Sequence, residues 1–171
     1  MRFLILFSFS ITALLAFGES IQSFEADFTQ KITDEENKVL SYKGSMRSKR
    51  PDMVLWSYEE PINKKIYVTK TRAVIVEPEL EQAIIKKLDG EIDFFGILAS
   101  AKAVDEMHYK AIYKGITFIL KEDNGVIISL AYTDQLENKV IIEFSKQKQN
   151  RPIEDSVFTP KVPVDYDIIK E

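Results

Sequence analysis

Few side chains in this sequence could do chemistry. Two adjacent carboxylate pairs, Glu35/Glu36 and Glu59/Glu60, could in principle supply the acid and base of a glycosidase-type hydrolysis. Both fall in polar, turn-like stretches, which reads more simply as solvated charge. The single histidine, His108, opens an expected strand with no second ligand or triad partner near it in sequence, and one imidazole makes a poor zinc site. The chain has no cysteine, which excludes thiol nucleophiles and disulfides. Its six glycines never fall as G-x-G, and no phosphate-loop or nucleophile-elbow pattern occurs. Arg47, Lys49 and Arg50, with Lys64 and Lys65 nearby, could meet anionic headgroups or an acidic partner, or could simply guard strand edges with charge. This inventory describes a binding protein: no catalytic residue, no metal ligand set and no cofactor is expected.

Composition bounds the class further. The 171 residues are 45% hydrophobic and 29% charged, which suits a folded domain with one sizeable core. A formal net charge of −4 argues against nucleic acid as a partner, since phosphate binding needs a basic surface. Met1 to Gly18 reads as a cleaved secretory signal, with Arg2 as its positive start, an apolar run from Phe3 to Phe17 and small residues in Ala16-Phe17-Gly18. The run falls short of the roughly 20 residues of a spanning helix. Residues 19–171 are then expected to form a single domain in the periplasm.

The elements that must hold any binding site are mainly β. Phe24, Ala26, Phe28 and Ile32 alternate with polar residues, the period-two pattern of a strand with one buried face. Further strands are expected at Val39–Ser48, Met53–Tyr58, Lys64–Lys70, Arg72–Val76, Gln82–Lys87, Met107–Tyr113, Ile116–Lys121, Val126–Tyr132 and Lys139–Phe144. Lys114-Gly115 and Asp123-Asn124-Gly125 are tight hairpin signals, whereas Thr133 to Asn138 suggests a looser loop. Short strands joined by short turns give an antiparallel meander that curves strongly or closes into a barrel. One interruption, Asp93 to Val104, predicts an amphipathic helix with Asp93 as its N-cap and Phe94, Phe95, Ile97, Leu98 and Ala101 on its apolar side. Pro152, Pro160 and Pro163 make the C-terminal tail an extended or edge segment. On Met53–Tyr58, Val54, Trp56 and Tyr58 share one face and Met53 and Leu55 the other. A strand apolar on both sides needs packed material on both sides.

Two motifs carry a resemblance to a known family. Phe24-Glu25-Ala26-Asp27-Phe28-Thr29-Gln30 resembles the opening F-x-A-x-F-x-Q strand of outer-membrane lipoprotein carrier proteins of the LolA type. Arg50-Pro51, followed by Trp56 and Pro61, is similar to the family's R-P-x-x-x-x-W signature and its later proline. The tail Phe158-Thr159-Pro160, with Val162-Pro163 after it, is similar to the closing strand. The resemblance implies an incomplete antiparallel β-barrel with a short helical lid over an apolar cavity that takes lipoprotein acyl chains. It implies Arg50 as a latch bonding lid carbonyls in the closed state. Phe24, Ala26, Phe28, Val54, Trp56 and Tyr58 become the candidate cavity wall, and Phe94, Phe95, Ile97 and Leu98 the candidate lid, although a closed core would use the same residues.

Each buried methylene contributes about 0.8 kcal/mol, so release of cargo requires that emptying the cavity recover some stability, which lid closure would supply. The implied partners are lipoproteins, an inner-membrane lipoprotein-releasing ABC transporter and, where one exists, an outer-membrane acceptor, with the carrier expected to be a monomer. The family usually has a helix before its first strand, and only Glu19 to Ser23 are available here. Rival readings are an envelope-stress sensor of the same fold, a lipocalin-like binder satisfied by free fatty acids, and an envelope hydrolase.

Overall fold

The computed structural model describes residues 17–88 and 93–171. The expected signal segment therefore lies outside the described residues up to residue 16. After a single 3-10 turn, Phe17–Ser20, come β1 (Ser23–Thr33), β2 (Val39–Lys49), β3 (Met53–Glu60), β4 (Lys64–Val68), β5 (Arg72–Glu77) and β6 (Gln82–Lys87). The helix α1 (Phe94–Ser100) and a short β7 (Lys102–Ala103) lead into β8 (His108–Tyr113), β9 (Ile116–Asp123), β10 (Val126–Thr133) and β11 (Lys139–Gln149), and the tail ends in β12 (Asp167–Lys170). Among the described residues these twelve strands form one curved, open sheet in the order β12-β6-β5-β4-β3-β2-β1-β11-β10-β9-β8-β7.

Two antiparallel meanders, β1 to β6 and β7 to β11, are joined where β1 pairs with β11. The tight hairpins sit where expected. Lys114 and Gly115 have φ of 49° and 81°, and Asn124 and Gly125 have 50° and 81°, the left-handed pairs that a two-residue turn between twisted strands requires. The segment expected to be a loose loop is instead a pinned turn. The Asp134 carboxylate accepts from the backbone N–H groups of Leu136 and Asn138, both at 2.9 Å. The β1–β2 turn is built alike: Asp34 Oδ1 accepts from the Lys38 N–H at 2.8 Å. An Asp side chain that mimics a backbone turn explains both.

Two further expectations need correction. The helix ends at Ser100 rather than reaching Val104, because Ala101 leaves in an extended conformation at ψ 129°. Past Leu98 the buried face offers only small Ala101, so another turn gains little burial, whereas Lys102 and Ala103 pair with β8. The sheet is also not wholly antiparallel, since β12 adds to the β6 edge in parallel. A long tail can cross the sheet and return in that direction; a short hairpin cannot.

Both faces of the sheet are used. The concave side holds the main core, including Phe24, Phe28, Met46, Phe95, Leu98, Leu120, Ile127 and Phe144. On the convex side of β3 to β6, Leu55, Tyr67, Val74 and Val76 pack under tail residues Ile153, Phe158 and Tyr166. The tail is tied down by Lys49, whose Nζ donates to the Ile153 carbonyl at 2.7 Å and meets Asp155 at 2.6 Å. Apolar residues on both faces of Met53–Tyr58 thus have their two layers.

Candidate ligand-binding cavity and its lid

Strand alternation and the register β1/β2/β3 bring the two sequence motifs together on the concave face. Phe24, Ala26 and Phe28 face inward from β1, and Val54, Trp56 and Tyr58 from β3, two strands away. Phe28 makes edge contacts to both Trp56 and Tyr58, with ring centroids 5.1 Å away in each case, and Phe24 meets Phe144 at 5.1 Å. Such edge-on arrangements suit the quadrupoles of the rings.

An apolar cavity of about 190 Å³ remains inside. Val54 and Trp56 line it from β3, Phe94 and Ile97 from α1, and Ile116, Phe118, Leu130, Tyr132 and Ile142 from β9 to β11. Of the six candidate wall residues, Val54 and Trp56 therefore border open space, while Phe24, Ala26 and Phe28 are packed solid. The β9–β11 wall was not singled out from sequence, although period-two alternation in Ile116–Leu120 carried the signal. A broader open hollow of about 700 Å³ lies at the β9–β11 rim; Asp134 and Lys139 stand there beside Ile119 and Ile141, as in a surface depression.

The helix α1 plugs this interior. Asp93 caps it as expected, accepting from the Gly96 N–H at 2.8 Å. Phe94, Phe95, Ile97 and Leu98 are all buried, with Phe94 packed against Phe24 at 5.7 Å. A crevice of about 250 Å³ between Pro51-Asp52 and Asp93-Phe94 separates the start of the helix from the sheet.

Arg50 sits where the N-terminal 3-10 turn, the sheet and α1 meet. Its Nε donates to the Ile21 carbonyl and its Nη2 to the Gly18 carbonyl, both at 2.8 Å, and its guanidinium carbon stands 4.7 Å from the Phe95 ring centroid. The planar fork of five fixed donors suits this geometry. The carbonyls belong to the segment before β1 rather than to α1, which Arg50 reaches through the Phe95 ring. Gly18 is itself wedged against the helix: a Cβ there would lie 2.0 Å from the Leu98 carbonyl oxygen. The role of Gly18 was not foreseen, because it falls in the expected leader.

Near the opposite rim the wall turns polar. Tyr58 Oη donates to Gln30 Oε1 at 2.9 Å, and Tyr42 packs edge-on against Tyr58 at 5.8 Å. Burial, reinforced by the neighbouring Tyr132 and Tyr42 hydroxyls, pushes the Tyr58 hydroxyl well above its ordinary pKa.

The remaining candidates are scattered. Glu35 and Glu36 are exposed in the β1–β2 turn, and Glu60, exposed at the end of β3, pairs with Lys43 at 3.0 Å. His108 Nδ1 lies 2.9 Å from Asp105, whose carboxyl is held below its usual range by the Met107 N–H and by His108. In the basic cluster, Arg47 pairs with Glu25 at 2.9 Å and Lys64 sits 5.0 Å from the Tyr58 ring centroid. Among the described residues, no three His, Cys, Asp or Glu side chains converge to hold a metal.

The profile of the family described as "Outer membrane lipoprotein carrier protein LolA" matches residues 19–124. The chain is 37% identical over 168 residues to an "Outer-membrane lipoprotein carrier protein" of Campylobacter jejuni, covering 98% of each chain. It is 35% identical over 165 residues to a protein of the same name from Wolinella succinogenes, covering 96% of this chain and 95% of that one. A solved structure described as an "uncharacterized conserved protein" of Thermus thermophilus shares the fold, with a TM-score of 0.55, 9% identity, and coverage of 91% of this chain and 94% of that one. The half-barrel plugged by α1 and the two motifs on its concave face accordingly have their counterpart in sequence: this chain belongs to the outer membrane lipoprotein carrier protein family, LolA.

Proposed function

We propose that this protein is a carrier that holds the acyl chains of lipoproteins in the concave face of its half-barrel and moves them through the periplasm from an inner-membrane ABC transporter to the outer membrane. The observation that carries the reading is an apolar helix filling an apolar concave face while one side chain, Arg50, fastens the neighbouring turn and ring over it. A cavity of about 150 Å³ accepts one benzene, so the 190 Å³ left here takes only a fragment of one acyl chain. Cargo must displace α1.

In that mechanism Phe94, Phe95, Ile97 and Leu98 exchange places with acyl methylenes. Entry exposes the apolar face of the helix and breaks the Arg50 contacts; release recovers both. Arg50 sets how much stability closure returns, and so how readily cargo leaves. A chain cut before Glu19 would lose the Gly18 acceptor and keep Ile21 and Phe95. The relatives, named as lipoprotein carriers, supply the cargo class, and the apolar interior supports it.

The test is release from membranes. Purified protein is added to spheroplasts, and the supernatant is examined for lipoprotein in soluble complex with it. Release that depends on the added protein is expected. If nothing is released while free fatty acids still bind, the carrier reading falls in favour of a simple lipid binder or sensor.

A further inference from the structure

One residue of the opening motif, Gln30, has no place in the mechanism above. It lies on the concave face of β1, one inward position beyond Phe28, and only 8% of it is exposed. Its strand neighbours are Tyr42 on β2 and Ile142 on β11, and Ile142 lines the apolar cavity. Burying a primary amide in such a wall costs stability unless its polar atoms are satisfied. Here one half is: the carbonyl accepts from Tyr58. The amide N–H2 finds no hydrogen-bond partner among the described residues. No fully enclosed side-chain polar atom there lacks a partner, so this group opens onto accessible space. Tyr58 holds the carbonyl, so the amide's donor end is turned away from the bond that orients it. The result is a pair of N–H donors one strand from Ile142 of the cavity lining, just outside the residues that border the cavity and near the end of the barrel remote from Arg50.

Resting on the carrier reading, we propose that Gln30 donates to the carbonyl oxygen of an acyl linkage, the ester or amide that joins a fatty chain to the lipoprotein's modified N-terminus. Methylenes fill the dry interior, and the linkage is the first polar group reached on the way out. A neutral donor suits it because an ester carbonyl accepts and carries no charge. Tyr42 and Tyr58 beside Gln30 add hydroxyls, and the Lys64 ammonium stands over the Tyr58 ring, 5.0 Å from its centroid. Gln30 thus selects for acylated molecules over merely apolar ones and fixes how deep the chains sit.

The experiment compares a diacylglyceryl lipopeptide with a dialkyl-ether analogue of equal chain length, which lacks the carbonyls. Binding is followed through the fluorescence of Trp56, the sole tryptophan. The wild type is expected to prefer the ester form about fivefold, the worth of one ordinary hydrogen bond. Gln30→Met, uncharged and of similar length, removes the donors and should lose the preference while still binding the ether analogue. Tyr58→Phe, which removes the bond that orients the amide, should weaken the preference. Equal binding of both ligands by the wild type, or a preference that survives in Gln30→Met, overturns the assignment, as does an undiminished preference in Tyr58→Phe. Failure of the wild type to bind either lipopeptide strikes instead at the carrier reading, and this inference goes with it.

Discussion

Replacing Arg50 by Leu removes the contacts that hold the closed form while leaving the cavity wall intact. Hydrogen bonds to a charged group contribute about 1.5 to 3 kcal/mol each; because Arg50 is half-buried, the lower end applies to the bonds to Gly18 and Ile21. The Phe95 ring face adds about 0.5 kcal/mol. Contacts sharing one side chain are not additive, so about 3 kcal/mol is a fair sum. That shifts the closed-to-open ratio on the order of 100-fold. Since apparent affinity scales with the fraction of open protein, Arg50→Leu should bind a lipopeptide up to about 100-fold more tightly. It should also deliver that lipopeptide to acceptor vesicles correspondingly slowly. In a chain beginning at Glu19 only one hydrogen bond remains, and the gain drops to about 30-fold, from about 2 kcal/mol. Trp56 fluorescence measures the affinity, and transfer to vesicles measures release. Arg50→Lys keeps the charge without the fork and should fall between. Affinity and release within twofold of wild type in Arg50→Leu would refute the latch, because the geometry allows no loss of these contacts without a shift toward the open form.

Other expectations concern the scaffold. Phe24→Ala empties a fully buried site between Phe94 and Phe144 and should cost about 3 to 5 kcal/mol in urea denaturation; a loss under about 1 kcal/mol would show that the concave core collapses freely. Gly44→Ala places a Cβ 2.0 Å from the Ser57 carbonyl oxygen, where β2 and β3 shift register, and should destabilise by about 2 to 3 kcal/mol, seen as a lower Tm. Tyr58 has its pKa raised by burial, so its stabilising effect is complete below the unfolded value of about 10. Above that pH the unfolded chain releases the proton first, and stability should decline with rising pH through the folded value. Tyr58→Phe should flatten the decline in alkaline denaturation curves, and an unchanged slope would contradict the burial argument.

The strand pattern was legible because burial on one face writes itself into sequence as alternation, clearest in Phe24 to Ile32. The turns at Gly115 and Gly125 were legible because left-handed backbone is cheap for few residues. The extent of α1 was not: Ala101 fits a helix face and a strand end equally well, and pairing with β8 decided between them. The site was half visible. Motif residues named Arg50, Val54 and Trp56, but the opposite wall of Phe118, Leu130 and Ile142 depends on the register of β9 to β11, which no local pattern states. The Gly18 contact escaped because a small residue near an apolar run resembles a processing signal as much as a packing site. Whether Phe24 and Phe28 border a void or fill a core was beyond alternation alone, since both uses require an apolar inward face.

The position of β1 has a consequence for how the molecule is made. The first strand to emerge lies in the middle of the sheet, with β2 on one side and, on the other, β11, whose Gln149 pairs with Phe24. Half of its hydrogen bonds must wait for residues more than a hundred positions away. Such contacts are slow to form, because loop closure must be achieved before they stabilise anything. Until β11 is present, β1 is an open edge with Phe24, Ala26 and Phe28 exposed, a template for pairing with another chain. A nascent or truncated chain that stops before residue 139 is therefore sticky and unfinished, so quality control in this protein falls to its last long hairpin.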